Sequence, residues 1–171
     1  MVHKADLNAK QAFIGESRLY FYAVRLLAER LSWYCRDSFC AADAGDGSVD
    51  LVFSNRGGLD YTALRDYLDR LDQNRGKYAY SAAHNVIRPT QVETYSPGRR
   101  MGLQLADAVA SSYFFAVEPS AYGLTEEGYA HLVLPRAYRH NGKLWGYGVK
   151  IVPKETDERR QKGELLAGWS E

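Results

Sequence analysis

A chain of 171 residues with 22 Lys and Arg against 21 Asp and Glu carries a formal net charge of +1, so no global field draws it to nucleic acid or to acidic lipid. Any such contact must rest on a local patch. The two cysteines, Cys35 and Cys40, cannot build a disulfide framework or a paired-cysteine metal motif. No apolar run approaches the ~20 residues that a membrane-spanning helix needs, and the opening Met1-Val-His-Lys-Ala-Asp6 lacks the apolar core of a secretory signal. These features predict a protein of the reducing cytoplasm, with free thiols and no membrane partner.

Taken in chain order, residues 1–16 hold few apolar side chains and suggest only a short extended piece near Val2. From Arg18 to Arg36 a helical period is clear, with Leu19, Tyr22, Ala23, Leu26, Trp33 and Tyr34 on one face. Arg30 falls inside that face and Glu29 at its edge. The turn-rich loop Ala42–Ser48 leads to a predicted strand, Val49–Ser54, which is apolar on both faces apart from Asp50 and so reads as central in its sheet. Ser54-Asn-Arg-Gly-Gly58 closes the strand, and Leu64, Leu68 and Leu71 mark a helix from Tyr61 to Leu71. Strand, glycine turn and helix make the grammar of an α/β fold, in which ligands gather beyond the carboxyl ends of the strands, where Asn55 and Arg56 stand. Asn55 equally suits a plain turn.

Ala82–Ile87 and Gln91–Thr94 predict two short strands interrupted by Pro89. A helix beginning at Gly102 follows the breaker Ser96-Pro97-Gly98. Its stripe of Leu103, Ala106, Ala110, Phe114 and Val117 contains Asp107, with Gln104 and Ser111 on the same flank. A carboxylate buried in such a stripe needs an arginine, hydrogen-bond donors or a metal ion, and a pairing with Arg30 stands beside the functional reading. Tyr122–Pro135 predicts another helix capped by Thr125, and Trp145–Ile151 alternates as a strand with a small-residue face. From Lys154 the sequence reads as a solvated, charged tail, which leaves one domain over residues 1–153 and a tail over 154–171.

Phosphate-binding glycine loops, GxGxxG, GxSxG and HExxH are all absent, and His3, His84, His131 and His140 show no ligand spacing. The phrases Leu26-Leu-Ala-Glu-Arg-Leu-Ser-Trp33, Val52-Phe-Ser-Asn-Arg-Gly-Gly58, Gly102-Leu-Gln-Leu-Ala-Asp-Ala-Val-Ala110, Ala116-Val-Glu118 and Gly146-Tyr-Gly-Val-Lys150 resemble, in order, a bacterial family known as domain of unknown function 3800. The resemblance runs from about Arg18 to Pro153. It implies an RNase H-like mixed sheet flanked by helices and a carboxylate cluster holding two divalent metals for phosphodiester chemistry. Family members open with a strand ending in an acidic phrase that has no counterpart here, so the fold is expected to be incomplete at the N-terminus.

Two functional readings stay open. In one, Asp107 and Glu29 are the catalytic carboxylates and ligate Mg²⁺ or Mn²⁺ in a nuclease or its degenerate relative, a hydrolase by reaction class. In the other, the chain is a non-catalytic module that binds protein or nucleic acid, with Asn55, Arg56, Arg99, Arg100 and Lys150 facing phosphates. Either way an incomplete sheet leaves an open edge, which predicts a homo-oligomer or a partner chain that covers it.

Overall fold

A computed structural model describes residues 16–38, 45–78, 80–152, 158 and 169. Where the sequence suggests a single domain over 1–153, the described residues divide into two units, one ending at Leu103 and one beginning at Gln104. The extended piece near Val2 and the first residues of the 42–48 loop lie outside the described residues.

The first unit is α/β. Helix α1, Glu16–Ser38, precedes strand β1, Val52–Ser54; helix α2, Tyr61–Gln73, and the single turn α3, Arg75–Tyr78, then lead to strand β2, Glu93–Tyr95. β1 and β2 run parallel, with Val52 beside Glu93 and Ser54 beside Tyr95, and α2 lies in the long connection that a parallel pair requires. Asp60 starts α2 by accepting the amide N–H groups of Thr62 and Ala63 at 2.9 and 3.0 Å. The stripe Leu64, Leu68 and Leu71 is buried as its spacing predicts, against Leu51, Val86, Ile87 and Val92 among others. Arg65, one place along from Leu64, donates to the Val92 carbonyl at 2.9 Å and so ties the helix to the start of β2.

Three details depart from expectation. Ala82–Ile87 forms no strand: Asn85 turns the chain at φ 60°, and only an isolated parallel bridge joins Val49 to Ile87. Pro89 opens a 3-10 turn over Pro89–Gln91, which delays β2 to Glu93. In α1 the buried residues are Val24, Ala28, Glu29 and Ser32; Val24, Ala28 and Ser32 share one face, with Leu31 and Cys35 packed beside them. That face lies nearly opposite the one carrying Leu19, Leu26 and Trp33. Both sides of the helix are apolar, and the side carrying Val24, Ala28 and Ser32, flanked by Phe21 and Leu31, enters the core.

Helix α4, Met101–Phe115, carries the chain into the second unit, where α5, Gly128–Val133, and a 3-10 turn, Leu134–Arg136, follow. α5 is shorter than predicted. Glu127 rather than Thr125 occupies its N-cap, and the Gly128 N–H is held by Glu126 Oε1 at 2.7 Å. The expected strand from Trp145 is a run of turns instead. Asn141 and Gly142, at φ 51° and 80°, form a two-residue reversal between His140 and Lys143, whose backbones exchange bonds of 3.1 and 3.0 Å. Gly146 turns at φ 87°, and Val149 N–H closes the loop onto the Leu144 carbonyl at 3.2 Å. The second core joins Ala116, Ala130, Leu134, Leu144, Val149, Ile151 and Trp169. The 154–171 segment is therefore not solvated throughout: Trp169 is 4% exposed, stacks on Trp145 at 6.1 Å and donates to Glu127 Oε2 at 3.3 Å. No described helix is long and apolar enough to cross a membrane.

Gly148 sits with its α-carbon against the Tyr138 backbone, so a Cβ there would overlap the Tyr138 carbonyl oxygen. Gly148→Ala should destabilise the chain by about 1–3 kcal/mol, read as a lower urea midpoint at unchanged slope. In the first unit, burial pushes the Tyr80 phenol from 10.0 up to about 12. The folded state then keeps a proton that the unfolded chain releases, so stability present below pH 10 drains away as pH rises through 12. Tyr80→Phe should flatten that alkaline fall in the urea midpoint; an identical fall in the mutant would show that the phenol is not its source.

Candidate nucleic-acid interface

Parallel pairing places the carboxyl ends of β1 and β2 side by side, and the Asn55 N–H continues the ladder onto the Tyr95 carbonyl at 2.7 Å. The two segments that leave these ends are Asn55-Arg56-Gly57-Gly58 and Ser96-Pro97-Gly98-Arg99-Arg100. They bring together four of the five residues expected to face phosphate: Asn55, Arg56, Arg99 and Arg100, all exposed. Lys150 belongs to the second unit.

Local chemistry fixes the two loops. The Tyr61 hydroxyl, at the start of α2, accepts the Arg56 N–H at 3.0 Å and donates to the Ser54 carbonyl at 2.7 Å, which pins the turn after β1. After β2, Pro97 opens a 3-10 turn in which Arg99 N–H bonds the Ser96 carbonyl at 3.0 Å. Arg100 then folds back over the Tyr95 ring, 4.3 Å from its centroid, and donates to the Tyr95 hydroxyl at 2.8 Å; that hydroxyl in turn donates to Glu93 Oε2 at 3.0 Å. The hydrogen bond to Tyr95 raises the Arg100 pKa. Among the described residues the side chains of Asn55, Arg56 and Arg99 make no hydrogen bond or ion pair. All three residues are exposed, which leaves their donors open to a ligand.

The carboxylates predicted to be catalytic are placed differently from expectation. Asp107 is exposed on α4, as are its neighbours from Gln104 to Ala110; the buried positions are Ser112 and, past the helix, Ala116. Its charge therefore requires no buried counter-ion. Glu29 is the deeper group, 5% exposed, whereas the sequence put Arg30 at the centre and Glu29 at the margin. The Glu29 carboxylate accepts from Arg25 Nε and from the Ser81 N–H, both at 3.3 Å, and lies 3.7 Å from Arg30 Nη1. Arg30 also donates to the Leu26 carbonyl at 2.7 Å and stacks over Trp33, and burial lowers its pKa. One turn on, Ser32 accepts the Ala83 N–H at 2.8 Å and Trp33 donates to the Ser81 carbonyl at 2.7 Å.

Glu29 thus helps to clasp α1 onto the 81–83 segment. A divalent ion there would have to displace a guanidinium and a backbone N–H, so Glu29 does not fit the role of a metal ligand as placed. Among the described residues no three His, Cys, Asp or Glu side chains are grouped to hold a metal ion. Glu29 and Asp107 also belong to different units.

The sequence reading missed a second polar cluster, at the amino end of β1. Arg88 Nε donates to Ser48 Oγ at 2.6 Å, and its guanidinium lies 3.3 Å from Asp46 and 3.6 Å from Asp50. The hydroxyl and N–H of Ser48 hold the Asp46 carboxyl below its ordinary pKa. Asp-x-Ser is a turn signal that sequence can show; the partnership with a residue 40 positions away in the chain is not. Comparison with family models, curated proteins and solved structures returns no match to this chain.

Glu29→Gln keeps the shape and an acceptor for Ser81 but removes the charge facing Arg25 and Arg30. It should cost about 1–3 kcal/mol in urea unfolding. Unchanged or raised stability would mean that Glu29 was repelling other carboxylates, as an empty metal site would have it.

Proposed function

We propose that the chain is a nucleic-acid-binding module of RNase H-like kind, which contacts backbone phosphates through Asn55, Arg56, Arg99 and Arg100 and acts by binding rather than hydrolysis. The observation that carries this reading is the convergence of three arginines at the carboxyl ends of two parallel strands, the place where open α/β sheets take their ligands. Guanidinium forks suit phosphate oxygens, and two of the three are uncommitted. A cluster this small supports contacts that fix position on a strand and read no sequence. The resemblance of the Val52–Gly58 phrase to domain of unknown function 3800 agrees with a phosphodiester ligand.

A second reading, a Mg²⁺- or Mn²⁺-dependent nuclease, draws support from the exposed Asp107 on α4. It ranks second because Glu29, its proposed companion, is occupied by protein donors.

Fluorescence anisotropy with a labelled oligonucleotide at several salt concentrations tests both. Three phosphate contacts predict a log–log salt slope near −2 for a single strand and near −3 for a duplex, and Arg56→Ala or Arg99→Ala should each reduce its magnitude by about 1. A flat salt response in the wild type overturns the binding reading. Cleavage of the same oligonucleotide with Mn²⁺, lost in Asp107→Asn, would replace it with the catalytic one.

A further inference from the structure

The outward edge of β1 carries a second message. Residues Val49, Leu51, Phe53 and Asn55 direct their backbone groups inward: Val49 exchanges bonds with Val86 and Arg88, Leu51 accepts from Glu93, and Asn55 donates to Tyr95. The register Phe53 beside Thr94 places Phe53 in the same ladder. Asp50, Val52 and Ser54 must therefore direct theirs the other way. Among the described residues only the Ser54 carbonyl has a partner there, the Tyr61 hydroxyl. The side chains of the same three residues are exposed, Val52 at 40%, while Leu51 is buried and Phe53 packs on the core. Among the described residues β1 is accordingly an edge strand, where its sequence suggests a central one.

We propose that this edge pairs with the same edge of a second copy of the chain, antiparallel and centred on Val52. The charges along the edge choose this occupant and this direction. The amino end of β1 carries Asp46 and Asp50 around the single Arg88, and the carboxyl end carries Arg56. A parallel neighbour of the same sequence would set like charge against like. An antiparallel one sets Val52 against Val52 and Asp50 against Ser54 of the second copy, with Arg56 of that copy on the diagonal to Asp50, within reach of a long side chain. The opposed valines exchange both backbone bonds, and Asp50 and Ser54 do the same, so every outward backbone group from Asp50 to Ser54 is satisfied. The interface is isologous and closed, which caps assembly at a dimer. It joins the two parallel pairs into one continuous sheet and leaves the arginine clusters at opposite ends.

Light scattering on the full chain tests the proposal. The wild type should run at twice 19.3 kDa and dissociate on dilution. Val52→Pro deletes an N–H that β2 does not use, so it should give the 19.3 kDa species with an unchanged circular dichroism spectrum. Arg56→Glu should also weaken the dimer, and Asp50→Arg combined with Arg56→Glu should restore it. A wild type that stays at the single-chain mass up to millimolar concentration overturns the proposal, as does a folded Val52→Pro that remains dimeric. Should Val52→Pro unfold, the charge-swap pair decides, because unchanged dimerisation in Arg56→Glu would place the contact elsewhere. Oligonucleotide binding by the monomeric Val52→Pro separates the fate of this proposal from that of the nucleic-acid reading.

Discussion

The backbone pairing of β1 with the segment from Val86 to Tyr95 is the constraint from which the first unit follows. Because strand backbones alternate in direction, one choice of inward residues settles which groups α2 can reach, which face Leu51 and Phe53 bury, and which edge is left over. Parallel pairing also decides the electrostatics. Both strands end on the same side, so the arginines that follow each strand arrive as neighbours. Had the pair been antiparallel, Arg56 and Arg99 would stand at opposite ends of the ladder and no basic cluster would exist.

The clasp of α1 works differently. Glu29, Ser32 and Trp33 reach the 81–83 segment by polar contacts that compensate backbone groups having no partner in the sheet. A helix buried through Val24 and Ala28 comes close to its neighbours because those side chains are small, and closeness exposes the 81–83 backbone to the next turn of the helix. The carboxylate that sequence marks as a catalytic candidate is the one this packing uses.

Sequence made the α/β grammar of the first unit legible, because Leu64, Leu68 and Leu71 keep strict helical spacing and Asn55-Arg56-Gly57-Gly58 is a plain strand terminator. It placed Arg56, Arg99 and Arg100 in one surface without knowing that parallel register would bring them together. It misjudged α1 and α4, where apolar residues run most of the way round and periodicity cannot choose a face; in α4 Leu105 and Val109 remain exposed at 62% and 41%. The Trp145–Ile151 alternation failed for another reason. Gly146 adopts a left-handed conformation that breaks a strand, and alternation of side chains carries no information about φ. The Asn141-Gly142 reversal was available to sequence, since that dipeptide is the strongest short signal for a two-residue turn.

The placement of Trp169 bears on the order in which the chain can be made into a protein. Among the described residues the first core closes no later than Val92, so it can form while the rest is still being synthesised. The second core draws on Ala116, Leu144 and Ile151 but is sealed by Trp169, well beyond them in the chain. Until that indole emerges from the ribosome, Trp145 and Tyr113 lack the Trp169 ring and Glu127 lacks the indole N–H. Folding on the ribosome is thereby given a direction, with the strand pair settled early and the second unit held open until Trp169 is made.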